Sequence, residues 1–543
     1  MKLPNLKYTD RISKTKQIKF GGLNHTLGAK DGELWDMRNL TADHAPLLAT
    51  REKRHLWRKL EEPGGIFSWD GMYWVDGTGF YYNGERKGTV TEGKKQFASM
   101  GAYIVILPDK CCYNRVTDEY KSMEAKWHGD SLIFTGGELF EKGMAANAIR
   151  CEGVAWDDYF RPGDAVTISG CTINPENNKT PVIQEIQGDT LLFSEYCFTI
   201  DKEDERRDEY LEIGSLSIER RVPDLLYICE NENRLWGCTE TEICASKLGD
   251  VFNWNVFEDL ASGSWNIAPA EAGSFTGCVA YKGFPTFFKE NRIYKVYGSI
   301  PSNFSVVSSA TLGLAPGSSG SLAIAGETLF YLSSSGFMAY SGGIPQPIGE
   351  AFGQEHIHSA VAGSDGLRYF VSVVRQDGST GLYVYDTQRG MWHLEDEVRV
   401  THFAKEDGCL YFLTEEGEIW ITGNTGSPPE GCQEEPDFEW IAEFSDFTQE
   451  DPNKKGLSKL QLRLELDEGA SMQVWLQCDS DGIWLPAGKI ISEGVKRSYY
   501  LPIVPRRADH YRLKLTGTGG CRIYSLVHEI YSGSELKSKS GRN

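Results

Sequence analysis

Several kinds of chemistry are missing from this chain of 543 residues. Its 13 Cys contain no C-x-x-C pair and no Cys/His spacing of zinc type, which excludes the common zinc ribbons and thioredoxin-like redox motifs. The count is odd, and Cys229, Cys278 and Cys409 sit in apolar runs, where a free thiol acts as a small hydrophobe. Adjacent Cys111 and Cys112 are poorly placed to bridge each other, so folding in a reducing cytoplasm is expected. Nucleophile elbows, P-loops, H-E-x-x-H helices and dinucleotide fingerprints are absent. No run approaches the roughly 18 apolar residues of a membrane span. The opening "MKLPNLKYTDRISKTKQIKF" lacks the apolar h-region of a signal peptide. Positive charge is short as well: 56 Lys and Arg face 77 Asp and Glu, a net charge of −21. Such a surface repels phosphate and does not grip nucleic acid through bulk charge, although it suits a wall that DNA slides past.

What is present is Gly, at 58 residues, and aromatic side chains, at 12%. Gly supplies turns and aromatics fill pleated surfaces, so the pair points to an all-β fold. One pattern recurs: an apolar strand, a Gly or Asp-Gly turn, an aromatic strand, a second turn and a third strand. Copies begin at Gly64, Phe97, Asp224, Phe275, Gly320, Ser359 and Thr401. From the third copy onward the starts lie roughly 40 to 50 residues apart, the period of four-stranded propeller blades. A small antiparallel sheet cannot bury both faces alone, and radial stacking supplies the missing contacts. No Trp-Asp signature repeats, which separates the pattern from an ordinary WD40 array. The competing architectures are a large β-sandwich or a set of unrelated sheets.

The expected fold is all-β: a β-propeller of about seven blades with an inserted small β-domain and a C-terminal β-sandwich. An N-terminal arm and propeller-closing strand occupy 1–63, the closing strand being sought in "QIKFGGLNH" or around Leu34 to Leu40. Two blades fill 64–126, an inserted β-barrel or sandwich 127–221, and blades three to seven 222–425. A Gly/Pro/acid-rich linker follows at 426–437, then the sandwich at 438–532 and a flexible tail at 533–543. Leu460, Leu462, Leu464 and Leu466 alternate along one sandwich strand with a single buried face. The mixed-charge run "DKEDERRDEYLE" reads as a solvated edge.

Candidate chemistry is thin. "EHIH" places His356 and His358 on one side of an extended strand, half of a metal site without a third ligand. "CDSDGIWLPAG" resembles the Asp-box turn of sialidase-like propellers, but it occurs once, and a tight hairpin accounts for Asp481 and Gly482. Acid pairs are too numerous to single out a glycosidase dyad. Lys2, Lys7, Arg11, Lys14, Lys16 and Lys19 make a basic N-terminal arm suited to an acidic neighbour, or simply a frayed terminus. No catalytic, cofactor-binding or metal residue is assigned, no cofactor is expected, and an enzyme is not. The hydrophobic stretch "GFPTFFKENRIYKVYGSIPSNF" reads as the middle of a blade: Phe284, Phe287 and Phe288 pack, Lys289 to Arg292 turn, and Ile293 to Tyr297 form the next strand.

Four stretches carry a resemblance. "DGELWDMRNLTADHAPLLATREKR" (Asp31 to Arg54) is similar to the opening of bacteriophage tail and neck β-propeller proteins of the packaged-DNA stabilisation or tail-nozzle type. There an acidic-Gly turn leads to Asn-Leu, Pro-Leu and paired Arg. "ASKLGDVFNW" (Ala245 to Trp254) and the Phe284 stretch look like blades of that family, and "PRRADHYRLKLTGTGGCRIYSLVHE" like the sandwich closing related proteins in phages of Gram-positive hosts. The resemblance implies a virion structural protein at a tail nozzle, neck or tail tip. It would form or plug the DNA-exit channel and connect neighbouring tail proteins. The implied partners are further copies in a homo-oligomeric ring, often a hexamer, other virion proteins, and DNA passing without specific binding. An acidic lumen fits that role, with assembly in the bacterial host cytoplasm. The inserted domain and separate sandwich depart from the pattern and leave the position in the particle open. The alternatives are a carbohydrate-binding or carbohydrate-cleaving propeller acting at the host cell wall, and a cytoplasmic propeller scaffold.

Overall fold

The recurring unit of the structure is a hairpin whose turn residues adopt positive φ. Lys282 and Gly283 (φ 51° and 77°) join Tyr281 to Phe284, and Asp407 and Gly408 (47° and 78°) join Glu406 to Cys409. Two successive left-handed residues match the right-handed twist of the flanking strands, which is why Gly takes the second position in each. Hairpins of this kind open seven antiparallel sheets among the described residues, six with strands in chain order and the seventh with one strand taken from earlier in the chain. The computed structural model describes residues 11–136, 147–193, 197–200, 209–257, 261–423, 425–448, 454–492, 495–504 and 506–532. Lys2, Lys7, residues 201–208 of the charged run and the tail at 533–543 fall outside these.

The chain divides into two compact units, Glu62–Ser319 and Met1–Glu61 with Gly320–Asn543. The first holds four blades, opening with Pro63–Ser68, Gln96–Met100, Tyr227–Asn231 and Gly277–Tyr281. Between its second and third blades lies a six-stranded sheet built on the long strands Ala125–Thr135 and Glu209–Arg220. That sheet has its own core around Trp127, Phe134, Trp156 and Phe160. The second unit holds three blades, opening with Ala323–Ala325, Ile357–Ser364 and Val400–Glu406. Within each unit the opening strands of the later blades adjoin, as innermost propeller strands do, and between the first two Phe67 stacks on Phe97. All seven opening strands together carry two acids, Glu230 and Glu406, and one base, Lys405, so the acidic excess of the chain lies elsewhere.

The strand that completes the seventh blade is His55–Lys59, paired with Glu418–Ile421. It lies beyond both stretches in which it was sought. Leu34–Arg38 instead pairs with Glu439–Phe444 in the sandwich, because Leu34 and Met37 are fully buried there. The stretch expected to be a linker also differs. Gln433–Glu434 pairs with His55 and Leu56 as a fifth strand of the seventh blade.

The sandwich is made from both ends of the chain. One sheet runs Leu40–Thr41, Leu48–Thr50, Cys521–Ser532, Lys455–Leu466 and Arg497–Pro502, with Arg11–Gln17 added along Cys521–Ser532. The other runs Leu34–Arg38, Glu439–Phe444, Tyr511–Thr518, Ser471–Cys478 and Leu485–Ile491. Leu460, Leu462, Leu464 and Leu466 are all buried, as their alternation predicts. In the fourth blade Phe287 and Phe288 are fully buried, and Phe284 packs on Tyr297 with ring centroids 4.7 Å apart.

Candidate functional site

Asn39 holds a left-handed backbone (φ 56°) between two short sandwich strands, a conformation Asn tolerates better than branched residues. This turns its side chain to donate to the Glu439 carbonyl at 2.7 Å and to accept from Arg51 Nε at 2.8 Å. Arg51 then clamps Glu435 with two parallel bonds of 2.7 and 2.8 Å. Three residues on, Arg54 donates to Glu395 and Asp396, each at 2.5 Å. Burial pushes the Asp396 and Glu435 carboxyls up, but the guanidinium groups beside them outweigh it and hold both below the usual carboxylate range. The Asn-Leu and paired Arg of the opening motif therefore build an internal clamp among the sandwich, the sixth blade and the stretch after the seventh.

Beside the clamp lies a cleft of about 430 Å³. Its lining mixes cations and histidines (His44, Arg51, Lys53, His55, Arg522) with the acids Glu434, Asp437, Glu465 and Asp467, and includes Gly519–Cys521. Lys53 bonds Asp437 at 2.8 Å. Burial pushes the Cys521 thiol far up, which removes it as a thiolate nucleophile at neutral pH. His44 approaches Glu52 only at 3.9 Å. Among the described lining residues no hydroxyl or thiol bonds a histidine, so the cleft has the form of a polar binding recess.

The second motif is also structural. The loop Ala245 to Trp254 buries Ser246, Val251 and Trp254 and turns Asn253 toward the inserted domain. Asn253 accepts from the Ala165 amide at 3.0 Å and donates to Asp164 at 2.9 Å, while Arg220 pairs with the same Asp164. Phe252 carries the Arg161 and Arg220 guanidinium groups over its ring, 4.1 and 5.1 Å from the centre. In the C-terminal motif, Arg512 and Lys514 share Glu443 at 2.9 and 3.0 Å, and Tyr511 bonds His528 Nδ1 at 2.7 Å.

His356 and His358 are both exposed at the start of the sixth blade. Among the described residues neither belongs to a cluster of three metal-capable groups; one such cluster occurs, Asp479, Asp509 and His510 in the sandwich. It is solvated and internally bonded: Asp479 accepts from the Asp509 amide at 2.8 Å, and His510 faces Ser480 at 2.8 Å. The hydrogen bond from His510 holds the Asp509 carboxyl below its ordinary value. Asp481 takes the Ile483 amide at 3.0 Å and Arg506 at 2.9 Å, so the Asp-box-like stretch is a hairpin turn with an ion pair. Sequence reasoning missed Asp509 and His510 because their partner Asp479 is 30 residues away, and it missed Glu435, Glu395 and Asp396 for the same reason at greater range.

No protein-family model and no curated protein sequence matches the chain. Among solved structures, the computationally designed Ika8 protein aligns over 68% of this chain and 98% of its own, at 8% identity and a TM-score of 0.32. BamB from Moraxella catarrhalis aligns over 70% and 99%, at 10% identity and a TM-score of 0.28. A catalytically inactive virginiamycin B lyase from Staphylococcus aureus aligns over 55% and 99%, at 11% identity and a TM-score of 0.23. The fold rests on the strand orders and registers themselves: all-β, with seven blade-type sheets, an inserted β-domain and a β-sandwich.

Proposed function

We propose that the chain is a structural component of a phage or prophage virion, a nozzle, neck or tail-tip ring. In that role it forms or plugs the DNA-exit channel, joins neighbouring tail proteins and turns over no substrate. One observation supports this reading above the others: the residues that carry the resemblance to phage neck and tail propellers are spent on internal clamps. Asn39, Arg51 and Arg54 lock the sandwich to its blades, and Asn253 locks the inserted domain. A part that must hold shape under load needs such locks more than it needs a reactive centre. Among the described residues no helix is long and apolar enough to cross a membrane. Assembly in the host cytoplasm and a final place in the virion follow from this reading.

A second reading has one observation in its favour. The acid-lined cleft beside the clamp, with Phe438 on its wall, has the size and polarity of a sugar subsite. Electron microscopy and mass measurement of the purified protein separate the two. The virion reading expects ring-shaped oligomers and the chain in purified particles. A monomer that binds cell-wall glycan saturably and never enters a tail overturns it.

A further inference from the structure

The charge of the chain is segregated along its length. Residues 1–30 hold seven Lys or Arg and one Asp, and residues 454–543 hold fifteen Lys or Arg and nine Asp or Glu. The remainder, 31–453, holds 34 Lys or Arg against 67 Asp or Glu. The fold then brings the two basic ends together. Arg11–Gln17 pairs with Cys521–Ser532, which pairs with Lys455–Leu466, which pairs with Arg497–Pro502. The leucines of Lys455–Leu466 point to the core, so the alternate positions define an outer face. On it stand Lys14, Lys16, Lys459, Arg463 and Arg522, with Lys496 at its margin, against Glu529 and Glu465. Ile12 and Tyr500 share this face and are 64% and 56% exposed, so among the described residues nothing covers them.

We propose that this basic sheet face docks on the acidic surface of a second copy of the same chain. Charge complementarity selects that occupant, since each copy offers both a basic face and a strongly acidic remainder. Nucleic acid fits less well. Lys459 lies 4.7 Å from the centre of the Tyr500 ring and Lys496 lies 3.3 Å from that of Tyr524, so these rings are capped by cations and are poor platforms for bases. A basic face meeting a different, acidic face is a heterologous contact, which closes into a ring when its rotation permits. The inference deepens the virion-ring reading and rests on it for that closure.

The test uses the full chain. Sedimentation is compared at about 0.05 M and 1 M salt, where screening lengths differ severalfold, for wild type and the triple variant Lys16→Glu, Lys459→Glu, Arg463→Glu. Wild type associates at low salt and disperses at high salt, and the variant weakens self-association by about tenfold or more. Zero-length carbodiimide coupling of mixed isotope-labelled and unlabelled wild type gives intermolecular links from Lys16, Lys459 or Lys496 to acids within 31–453. This second measurement decides the matter even where the variant folds poorly. Rings that survive the triple variant without such links overturn the docking face and leave the virion reading standing. A monomer at every salt concentration overturns both. A monomer that retains double-stranded DNA, with retention lost in the variant, reassigns the face to a polyanion and overturns the self-contact.

Discussion

Arg51 shows how much one side chain can hold. It is 7% exposed and meets Asn39, Glu435 and the Phe438 ring, 4.2 Å from the guanidinium carbon. Truncation leaves the half-buried Glu435 carboxylate with the Arg54 amide in place of the guanidinium fork, so Arg51→Ala should cost about 3 kcal/mol in denaturant unfolding. Arg51→Lys keeps the charge but loses the fork, and should fall between it and wild type. A change within experimental error for Arg51→Ala would show that Glu435 finds another partner. Only half of this clamp was legible in the sequence: Asn39 and the paired Arg stand out in the motif, whereas their acids lie 341 to 384 residues away in sequence, a distance no local pattern spans. Two buried histidines give a second expectation at this scale. Burial holds His528 down to about 3 and His393 down to about 4, both below the ordinary 6.5. The unfolded chain therefore takes up protons that the folded one refuses. Their contribution to stability is complete above about pH 6.5 and is lost as pH falls toward 3, at up to about 1.4 kcal/mol per pH unit for each group. The variant His528→Gln should flatten the dependence of stability on pH between 6 and 4, and an unchanged slope would assign the acid sensitivity to other groups.

At the scale of the element, the hairpins were the most readable part of the chain, because Gly-containing turns and aromatic strands are local signals. Gly283 illustrates the physics: it sits at φ 77°, and a Cβ added there would meet nothing within 4 Å. Any cost of Gly283→Ala is then backbone strain alone, about 1 kcal/mol, and thermal unfolding should register a small loss with unaltered sheet content. The opposite balance holds for Leu462 in the long sandwich strand. It is fully buried, and Leu462→Ala should cost about 2–5 kcal/mol, while the neighbouring outward Lys459→Ala stays close to neutral. Equal losses for the two would mean that the sheet does not have one wet and one dry face. What the sequence could not reveal was which strand completes the last blade. His55–Lys59 has exposed and half-buried positions with no clean alternation, and it belongs in the blade only through its register with Glu418–Ile421. The buried Leu34 and Met37 made a louder apolar signal for a strand that serves the sandwich instead.

At the scale of the molecule, the sequence order of domains and their construction part company. A reading from N- to C-terminus suggests an arm, blades and a separate final sandwich, yet that sandwich takes strands from both ends. Leu34 pairs with Phe444, Phe20 packs on the Phe444 ring at 6.0 Å, and the Cys521 amide bonds Thr50 Oγ1 at 3.0 Å. Buried Leu34, Met37, Leu40 and Leu48 would leave a gap of four large side chains if removed. The inserted domain is the contrasting case, since its buried core is drawn entirely from Trp127 through Ile218. Two fragments should therefore behave differently. Residues 125–221 expressed alone should give dispersed amide resonances and a cooperative melt. Residues 438–543 alone should give neither, because three of the seven strands of one sheet and one of the five of the other are missing, and the exposed leucine face invites aggregation. Adding a peptide covering residues 11–61 to the second fragment should restore a cooperative transition at a temperature that rises with peptide concentration, as binding to the folded state requires. A sharp melt of 438–543 without the peptide would instead make the N-terminal strands an accessory layer over an already complete sandwich.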